Sequence, residues 1–404
     1  MIYVCFFLPV HLISLGDSLK INQIKVIGNK HTKTETILGI VKDLFIKSSY
    51  YDEESLRKAA KRGEERLQNT TWFYSAHIYV SPTKRKNFYN IVIEVKEGFL
   101  WRFYGGNNYF AFGKDNIWGN GEKFIAELGL KRQDVSIRIN PISPSLFFNT
   151  YIGNINDVYY TKENCVPVGI QKIGIKTEIE YRINWDIFFT MQLGYHRVYN
   201  ISYKHLFDTF YERVKFIIDK RNDIFSSTKG YYFLLALTRY NRICLENYTE
   251  VRYFFPITRE LIICSKLTLA WQSPEIRDVY KFNIVGITGL RNDKYDTGMV
   301  GNVEVLNNLE IRYRILSVSF AGIFNSALEP VVFFDIGRCF RKLEDVAEVP
   351  LKDYPVVFGL GVRVLFYAPI FLPVRIEVGW NKASEPTIFL SLSMPFKGRE
   401  DENF

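Results

Sequence analysis

Two rhythms of apolar residues divide this chain. Residues 20–98 mix both periods of regular structure. Ile21, Ile24 and Val26 run into Gly28-Asn29, a turn signal. Thr32 and Glu35 stand at capping-box spacing, so a helix is expected there with Ile37, Ile40 and Val41 on its apolar face. Asp52 is placed to cap a second helix whose buried stripe is Leu56, Ala59, Ala60, Gly63 and Leu67, and Glu53 and Glu54 suit its positive end. Tyr74, Ala76, Ile78 and Val80 then alternate in one strand, and Ile91, Ile93 and Val95 in the next. The predicted order is β-α-α-β-β, with both helices covering one face of a small sheet.

From Phe99 onward the helical period vanishes and period two takes over. In residues 172–183, Ile173, Ile175, Thr177, Ile179, Tyr181 and Ile183 point one way, and Lys172, Gly174, Lys176, Glu178, Glu180 and Arg182 the other. Only a strand segregates side chains in that way. Val374, Ile376, Val378 and Trp380 oppose Arg375, Glu377, Gly379 and Asn381. Val303, Val305, Leu309, Ile311 and Tyr313 oppose Glu304, Asn308, Glu310, Arg312 and Arg314. The nearly continuous apolar run 356–374 carries Gly359, Gly361 and Arg363 at alternate positions, with Pro369 and Pro373 after them. An arginine at its centre and two flanking prolines fit a strand with an inward polar side better than a spanning helix.

A strand with one apolar and one charged face belongs either to a soluble sheet or to a membrane barrel. The soluble reading needs a second layer over every apolar face, yet no helical segment and no fixed repeat is visible after residue 98. A closed barrel satisfies every backbone group without edges. The expected fold class is therefore an all-β membrane protein: a transmembrane antiparallel β-barrel of about sixteen strands, preceded by one α+β domain. The boundaries read as 17–98 for that domain, 99–396 for the barrel and 397–404 for a polar tail. A secretory signal is expected over 1–16, where Ile2 to Leu15 is mostly apolar and Ser14-Leu15-Gly16 offers small residues before a cut.

Composition changes little. Aromatic residues make up 16% of the 404 residues, as strands and membrane interfaces both favour. The formal charge of +9 comes without a Lys/Arg block of nucleic-acid type, since Lys84-Arg85-Lys86 sits between two strands as a solvated turn; no nucleic-acid partner is expected. Cys5, Cys165, Cys244, Cys264 and Cys339 are far apart and show no metal or redox spacing. His11, His31, His77, His196 and His205 make no cluster, and no H-E-x-x-H, G-x-S-x-G or phosphate-loop pattern occurs. The reading is no enzyme, no catalytic residue, no cofactor and no metal; Glu178 and Glu180 only mimic a catalytic pair.

Five motifs then fall in one order. They are Ile24-x-Val26-x-Gly28-Asn29, Asn116-Ile117-Trp118-Gly119-Asn120-Gly121, Asp219-Lys220-Arg221-Asn222-Asp223-Ile224-Phe225 with Thr228-Lys229-Gly230, Asn308-Leu309-Glu310-Ile311-Arg312-Tyr313, and Phe333-Phe334-Asp335-Ile336-Gly337. Together they resemble the BamA/TamA/Sam-type outer-membrane barrel-assembly superfamily, with the N-terminal unit resembling a single POTRA domain. The tip of the family's sixth loop aligns with Gly289-Leu290-Arg291-Asn292-Asp293, keeping the arginine but neither the following glycine nor the aromatic. Asn292 is suited to the left-handed backbone that the glycine would supply, whereas Asp293 does not replace the aromatic. The resemblance implies that this loop folds into the lumen and that its arginine meets acidic groups on two strands. Strand parity puts Glu310 and Asp335 on the lumen side, so Arg291 is expected to pair with Asp335, with Glu310 near.

The resemblance also implies a lateral seam between the first strand, around Leu100, Trp101 and Phe103, and the last strand, Thr387 to Phe396 with Leu390, Leu392, Met394 and Phe396 facing lipid. Client strands would add there by β-augmentation. The expected function is assembly and insertion of β-barrel clients. Expected partners are unfolded outer-membrane β-barrel proteins, accessory periplasmic subunits or chaperones, and membrane lipids. The expected place is the bacterial outer membrane, ahead of an organellar one, with the N-terminal domain in the periplasm. The alternatives are a polypeptide translocation or secretion channel and a tethering barrel without assembly activity.

Overall fold

A computed structural model describes residues 19–45, 52–98, 100–106, 109–129, 132–143, 146–160, 167–200, 204–224, 226–277, 280–286, 289–291, 299–320, 324–367, 372–383 and 385–391. The expected signal segment, Cys5, Cys165, Asn292, Asp293, Leu392, Met394, Phe396 and the polar tail lie outside them.

The N-terminal domain is built from β1 (Lys20–Ile27), α1 (Thr34–Phe45), α2 (Glu53–Asn69), β2 (Phe73–Pro82) and β3 (Phe88–Glu97). Its sheet order is β1-β3-β2, parallel between β1 and β3 and antiparallel between β2 and β3. The two helices pack Ile37, Ile40, Val41, Leu56, Ala60 and Leu67 against Ala76, Ile78, Ile91, Ile93 and Val95. Each fully buried aliphatic side chain contributes roughly 1.5–3 kcal/mol. The α2 cap is a carboxylate one: Asp52 accepts the Ser55 N–H at 2.7 Å, which lowers the Asp52 pKa.

Two expectations for this domain need correction. A bulge in β2 between Phe73 and Ser75 inserts one residue, so Phe73 turns inward and Tyr74 outward, 41% exposed. Thr32 does not cap α1. The first α-helical turn closes on the Lys33 carbonyl, and the Thr32 hydroxyl accepts a hydrogen bond from Asn116 Nδ2 at 2.8 Å. A contact to the second domain outbids the local cap.

The rest of the described chain is one closed ring. Its strands are β4 (Trp101–Gly106), β5 (Tyr109–Asp115), β6 (Lys123–Gly129), β7 (Arg132–Ser143), β8 (Leu146–Tyr160), β9 (Pro167–Asn184), β10 (Ile187–Asn200), β11 (His205–Asp219), β12 (Gly230–Tyr240), β13 (Cys244–Pro256) and β14 (Leu261–Gln272). A long loop with two short strands, β15 (Phe282–Asn283) and β16 (Val300–Gly301), intervenes. The ring resumes with β17 (Val303–Tyr313), β18 (Leu316–Phe320), β19 (Phe324–Phe340), β20 (Val356–Tyr367), β21 (Leu372–Asn381) and β22 (Pro386–Ser391). Both β17 and β18 pair with β19 and are halves of one strand interrupted at Arg314-Ile315, so the ring has sixteen antiparallel strands and closes between β22 and β4.

The burial pattern is inverted relative to a soluble sheet. Ile173, Ile175, Ile179, Tyr181 and Ile183 are exposed, whereas Lys176, Glu178 and Glu180 on the same strand are buried. The inversion repeats on β20, with Phe358, Leu360 and Val362 outside and Arg363 inside. Apolar side chains that point outward from a ring over which the described residues lay no second layer need acyl chains to cover them. No helix among the described residues is long and apolar enough to span a membrane; the strands do so.

Candidate functional site

The loop between β14 and β17 leaves the ring at the end away from the N-terminal domain and folds back inside. Its residues Phe282, Ile284, Leu290 and Met299 join Leu234, Ala236, Tyr248, Ala270, Leu306 and Phe333 in an apolar cluster. The lumen is therefore partly dry. Close approach shapes the tip: a Cβ on Gly289 would lie 1.9 Å from the Ile284 carbonyl oxygen, so only glycine fits there. Leu290 forms a parallel bridge to Val285, and its N–H reaches Ile284 O at 2.5 Å.

That turn delivers Arg291 to the wall. Its Nε and Nη2 donate to Asp335 at 2.7 and 2.6 Å, and its backbone N–H adds a third bond at 3.2 Å. Nη1 reaches Glu310 at 2.6 Å and Glu377 at 3.4 Å, and the guanidinium lies 3.6 Å from the Phe333 ring centre. Asp335 also accepts from Asn308 Nδ2 at 2.8 Å, which in turn holds the Gly289 carbonyl. The expected partners Arg291, Asp335 and Glu310 lie together, and the structure adds Glu377, Arg363, Arg375 and Arg312.

Arg363 donates to Glu310 at 2.6 and 2.8 Å and to Glu377 at 2.7 and 2.9 Å. Arg375 and Arg312 complete the cluster on Glu377 and Glu310. All seven charged groups are essentially buried. An isolated charge at such depth would be prohibitive, but each carboxylate here accepts from at least one guanidinium. The polar faces of residues 303–314, 356–364 and 374–381 carried these groups in the sequence, but pairing among strands that are not neighbours in the chain was not readable. Gly359 makes the room: a Cβ there would lie 2.3 Å from the Phe333 ring.

The root of the loop is held on a different arc of the wall. Tyr280 bonds His196 on β10 and Thr209 on β11, the latter at 2.9 Å, and stacks on Tyr240 of β12 at 5.1 Å. Glu178 and Glu180 are partners of neighbouring wall residues, Asn149 for the first and Arg138 and Arg182 for the second. No group of three metal-ligating side chains occurs among the described residues.

At the other end the N-terminal domain sits on the ring. The expected Asn116–Gly121 motif is the β5–β6 turn, and it meets the segment after Gly28-Asn29. Lys33 N–H donates to Gly119 O at 3.1 Å, and His31 Nε2 lies 2.6 Å from Asn116 O. Glu97 accepts the His31 N–H at 2.9 Å and the Thr32 N–H at 2.5 Å. Partial burial works against its charge, but these donors hold its carboxyl below the usual carboxylate range. Arg62 and Arg66 of α2 both grip Asp186 in the β9–β10 turn, at 2.7 and 3.0 Å. Arg62 also reaches the carbonyls of Asp219 and Arg221, so the motif that starts at Asp219 is a docking surface too.

Leu100, Trp101, Phe103 and Leu390 are placed as follows. Trp101 is exposed on β4, Phe103 pairs in register with Phe112, and Leu390 is exposed on β22. Leu100 precedes β4 and packs on the core of the N-terminal domain, while its carbonyl accepts the Asp115 N–H at 2.8 Å and carries the β4–β5 ladder one residue further. The described part of β4 has six residues and ends in Gly105-Gly106, against eighteen in β9.

Comparison with known proteins agrees with this architecture. Residues 19–98 match the family model described as POTRA, surface antigen variable number repeat, and residues 116–389 match that of the Omp85 superfamily domain. A search among proteins of curated function finds no match. Among solved structures the chain is similar to BamA from Haemophilus ducreyi lacking POTRA domains 1–3, with 14% identity and a TM-score of 0.53 over 94% of this chain and 84% of that one. It is similar to CdiB from Escherichia coli, with 10% identity and a TM-score of 0.59 over 93% and 75%. CdiB from Acinetobacter baumannii gives 11% and 0.54 over 93% and 74%. At such identities these likenesses speak for the fold, and the family models speak for descent: the chain belongs to the Omp85 superfamily, as an outer-membrane-type β-barrel with a single POTRA domain.

Proposed function

We propose that this protein is an outer-membrane assembly factor that folds and inserts β-barrel clients at the seam between β4 and β22. The observation that carries this reading is a contrast within one ring. The wall from β10 to β21 is braced from inside by a buried loop and seven charged groups, whereas the ring closes on a short first strand carrying two adjacent glycines. Glycine weakens strand pairing, so the seam is the cheapest place for a client strand to enter. Unfolded barrel proteins would dock first on an open edge of the POTRA sheet, with periplasmic chaperones or accessory subunits delivering them. In this reading the membrane is the bacterial outer membrane and the POTRA domain faces the periplasm. Arg291, Asp335 and Glu310, with the tip residues Gly289 and Leu290, hold the loop that keeps the wall rigid while the seam works.

Depletion of the protein tests the proposal. The level of other folded outer-membrane barrels should fall. Unchanged barrel levels together with loss of one secreted passenger would instead point to the translocation channel. A disulfide joining β4 to β22 should stop assembly reversibly, and full activity with that bond closed would remove the seam.

A further inference from the structure

A cavity of about 360 Å³ lies between the POTRA domain and the adjacent mouth of the barrel. On its domain side Arg62 and Arg66 are saturated by Asp186, Asp43 and Glu65 and by main-chain carbonyls. The barrel side is different. Arg138 Nη2 and Arg182 Nε converge on one carboxylate oxygen of Glu180, at 2.7 and 2.6 Å, and Arg182 Nη1 donates to the Trp185 carbonyl at 3.3 Å, so two guanidinium groups share one hydrogen-bonded carboxylate. Arg138 Nε is buried and has no hydrogen-bond partner among the described residues. Aromatic rings cover the flat faces of both groups: Phe147 lies 3.9 Å from Arg138, and Trp185 and Phe188 lie 4.2 and 4.7 Å from Arg182. Stacking of that kind leaves the edges of a guanidinium, where its N–H donors are, for a planar acceptor. Lys123, paired with Asp115 at 3.7 Å, lies on the same wall.

We propose that this cavity binds the carboxylates of an acidic peptide segment through Arg138 and Arg182. Fork geometry suits a carboxylate, and the indole and phenyl walls suit the rest of a peptide better than a free ion. Two sources supply this chemistry. One is the chain's own Glu400-Asp401-Glu402. In a ring of sixteen antiparallel strands β22 runs toward the POTRA end, and Asp115 on β5 and Lys123 on β6 put the cavity beside the seam that β22 closes. Eight residues lie between Ser391 and Glu400, a reach of at most roughly 30 Å. The other source is an acidic stretch of a second polypeptide. The proposal stands apart from the assembly reading, since binding needs no client to be inserted.

The test is a titration of the detergent-solubilised full chain with a labelled peptide of sequence KGREDENF. Saturable binding is expected. It should weaken about tenfold or more in R138Q or R182Q and when the peptide acids are replaced by Gln and Asn. Heat-modifiable gel mobility of each variant shows that the ring is intact, because each leaves Glu180 one arginine. Tighter peptide binding by a chain carrying E400Q/D401N/E402Q identifies its own segment as the occupant; equal binding identifies a second polypeptide. No saturable binding to either chain overturns the proposal. So does an undiminished affinity in folded R138Q and R182Q, or displacement of the peptide by equimolar inorganic phosphate.

Discussion

Removal of the Arg291 side chain takes the forked guanidinium away from Asp335, which then keeps only the longer-range charge of Lys266 beside it and its bond from Asn308. Glu310 is held by Arg363 and Arg312, and Glu377 by Arg363 and Arg375. Asp335 has the Arg291 guanidinium, the Arg291 backbone N–H and Asn308. R291M keeps the length and the apolar contact with Phe333 but strips two charge-assisted bonds from a fully buried acid. Breaking a buried pair by removing one partner costs about 3–5 kcal/mol. R291K should recover only part of this, because one ammonium cannot fork onto Asp335 while reaching Glu310. Urea unfolding of the barrel in lipid vesicles, followed by tryptophan fluorescence and heat-modifiable mobility, reads the change. A double-mutant cycle with D335N should give a coupling of about 1.5–3 kcal/mol. Additivity of R291M and D335N within about 0.5 kcal/mol would refute the reasoning, since it would mean that the pair shares no interaction worth measuring.

Three further outcomes are expected. D186A strands Arg66, whose side chain is only 3% exposed, with Asp43 as its remaining carboxylate; it should weaken docking of the POTRA domain by about 3–5 kcal/mol and speed amide exchange along α2, which unchanged exchange would contradict. Glu97 has a folded pKa below its unfolded one, so its contribution is present above the unfolded value and is lost as pH falls through the folded value. Amide exchange at His31 and Thr32 should accelerate on acidification through that window, and E97Q should abolish the dependence. G359A drives a methyl into the Val378 carbonyl oxygen and into the Phe333 ring on which Arg291 stacks; a loss of roughly 1–3 kcal/mol in the same urea assay is expected, and a neutral G359A would show that both the strand and the ring have room to move.

Much of this molecule could be read from its amino-acid order, and the limits have physical causes. Alternation along 172–183, 303–314 and 374–381 fixes which side of each strand is charged, because a strand has no other way to sort its side chains. It cannot say which charged positions meet, since register between strands far apart in the chain is set by ring closure. Glu377 lies 86 residues beyond Arg291 and still reaches it. Local rules failed where a distant partner offered more. The Thr32 hydroxyl serves Asn116 and not its own helix, and Tyr74 left the core when a bulge passed its place to Phe73. Asp186 carried no motif at all; a two-residue turn gave no hint that two arginines from another domain would close on it. The outward apolar face of the ring and its closed topology followed directly from the alternation, because no helical segment was left to cover so many strands.

The arginine at the loop tip has a consequence for how this protein itself is made. Its partners on β19 and β21 follow it in the chain, so the tip has nothing to hold until those later strands are laid down. Four arginines and three acids would cross the hydrocarbon layer as separate charges if each strand entered alone, at a cost of several kcal/mol apiece. The cheaper itinerary lets them neutralise one another while the last quarter of the wall is still a nascent hairpin bundle, wrapped round the loop before the circle is completed. On that schedule an empty cylinder never forms: the plug is the mandrel on which the final strands are wound.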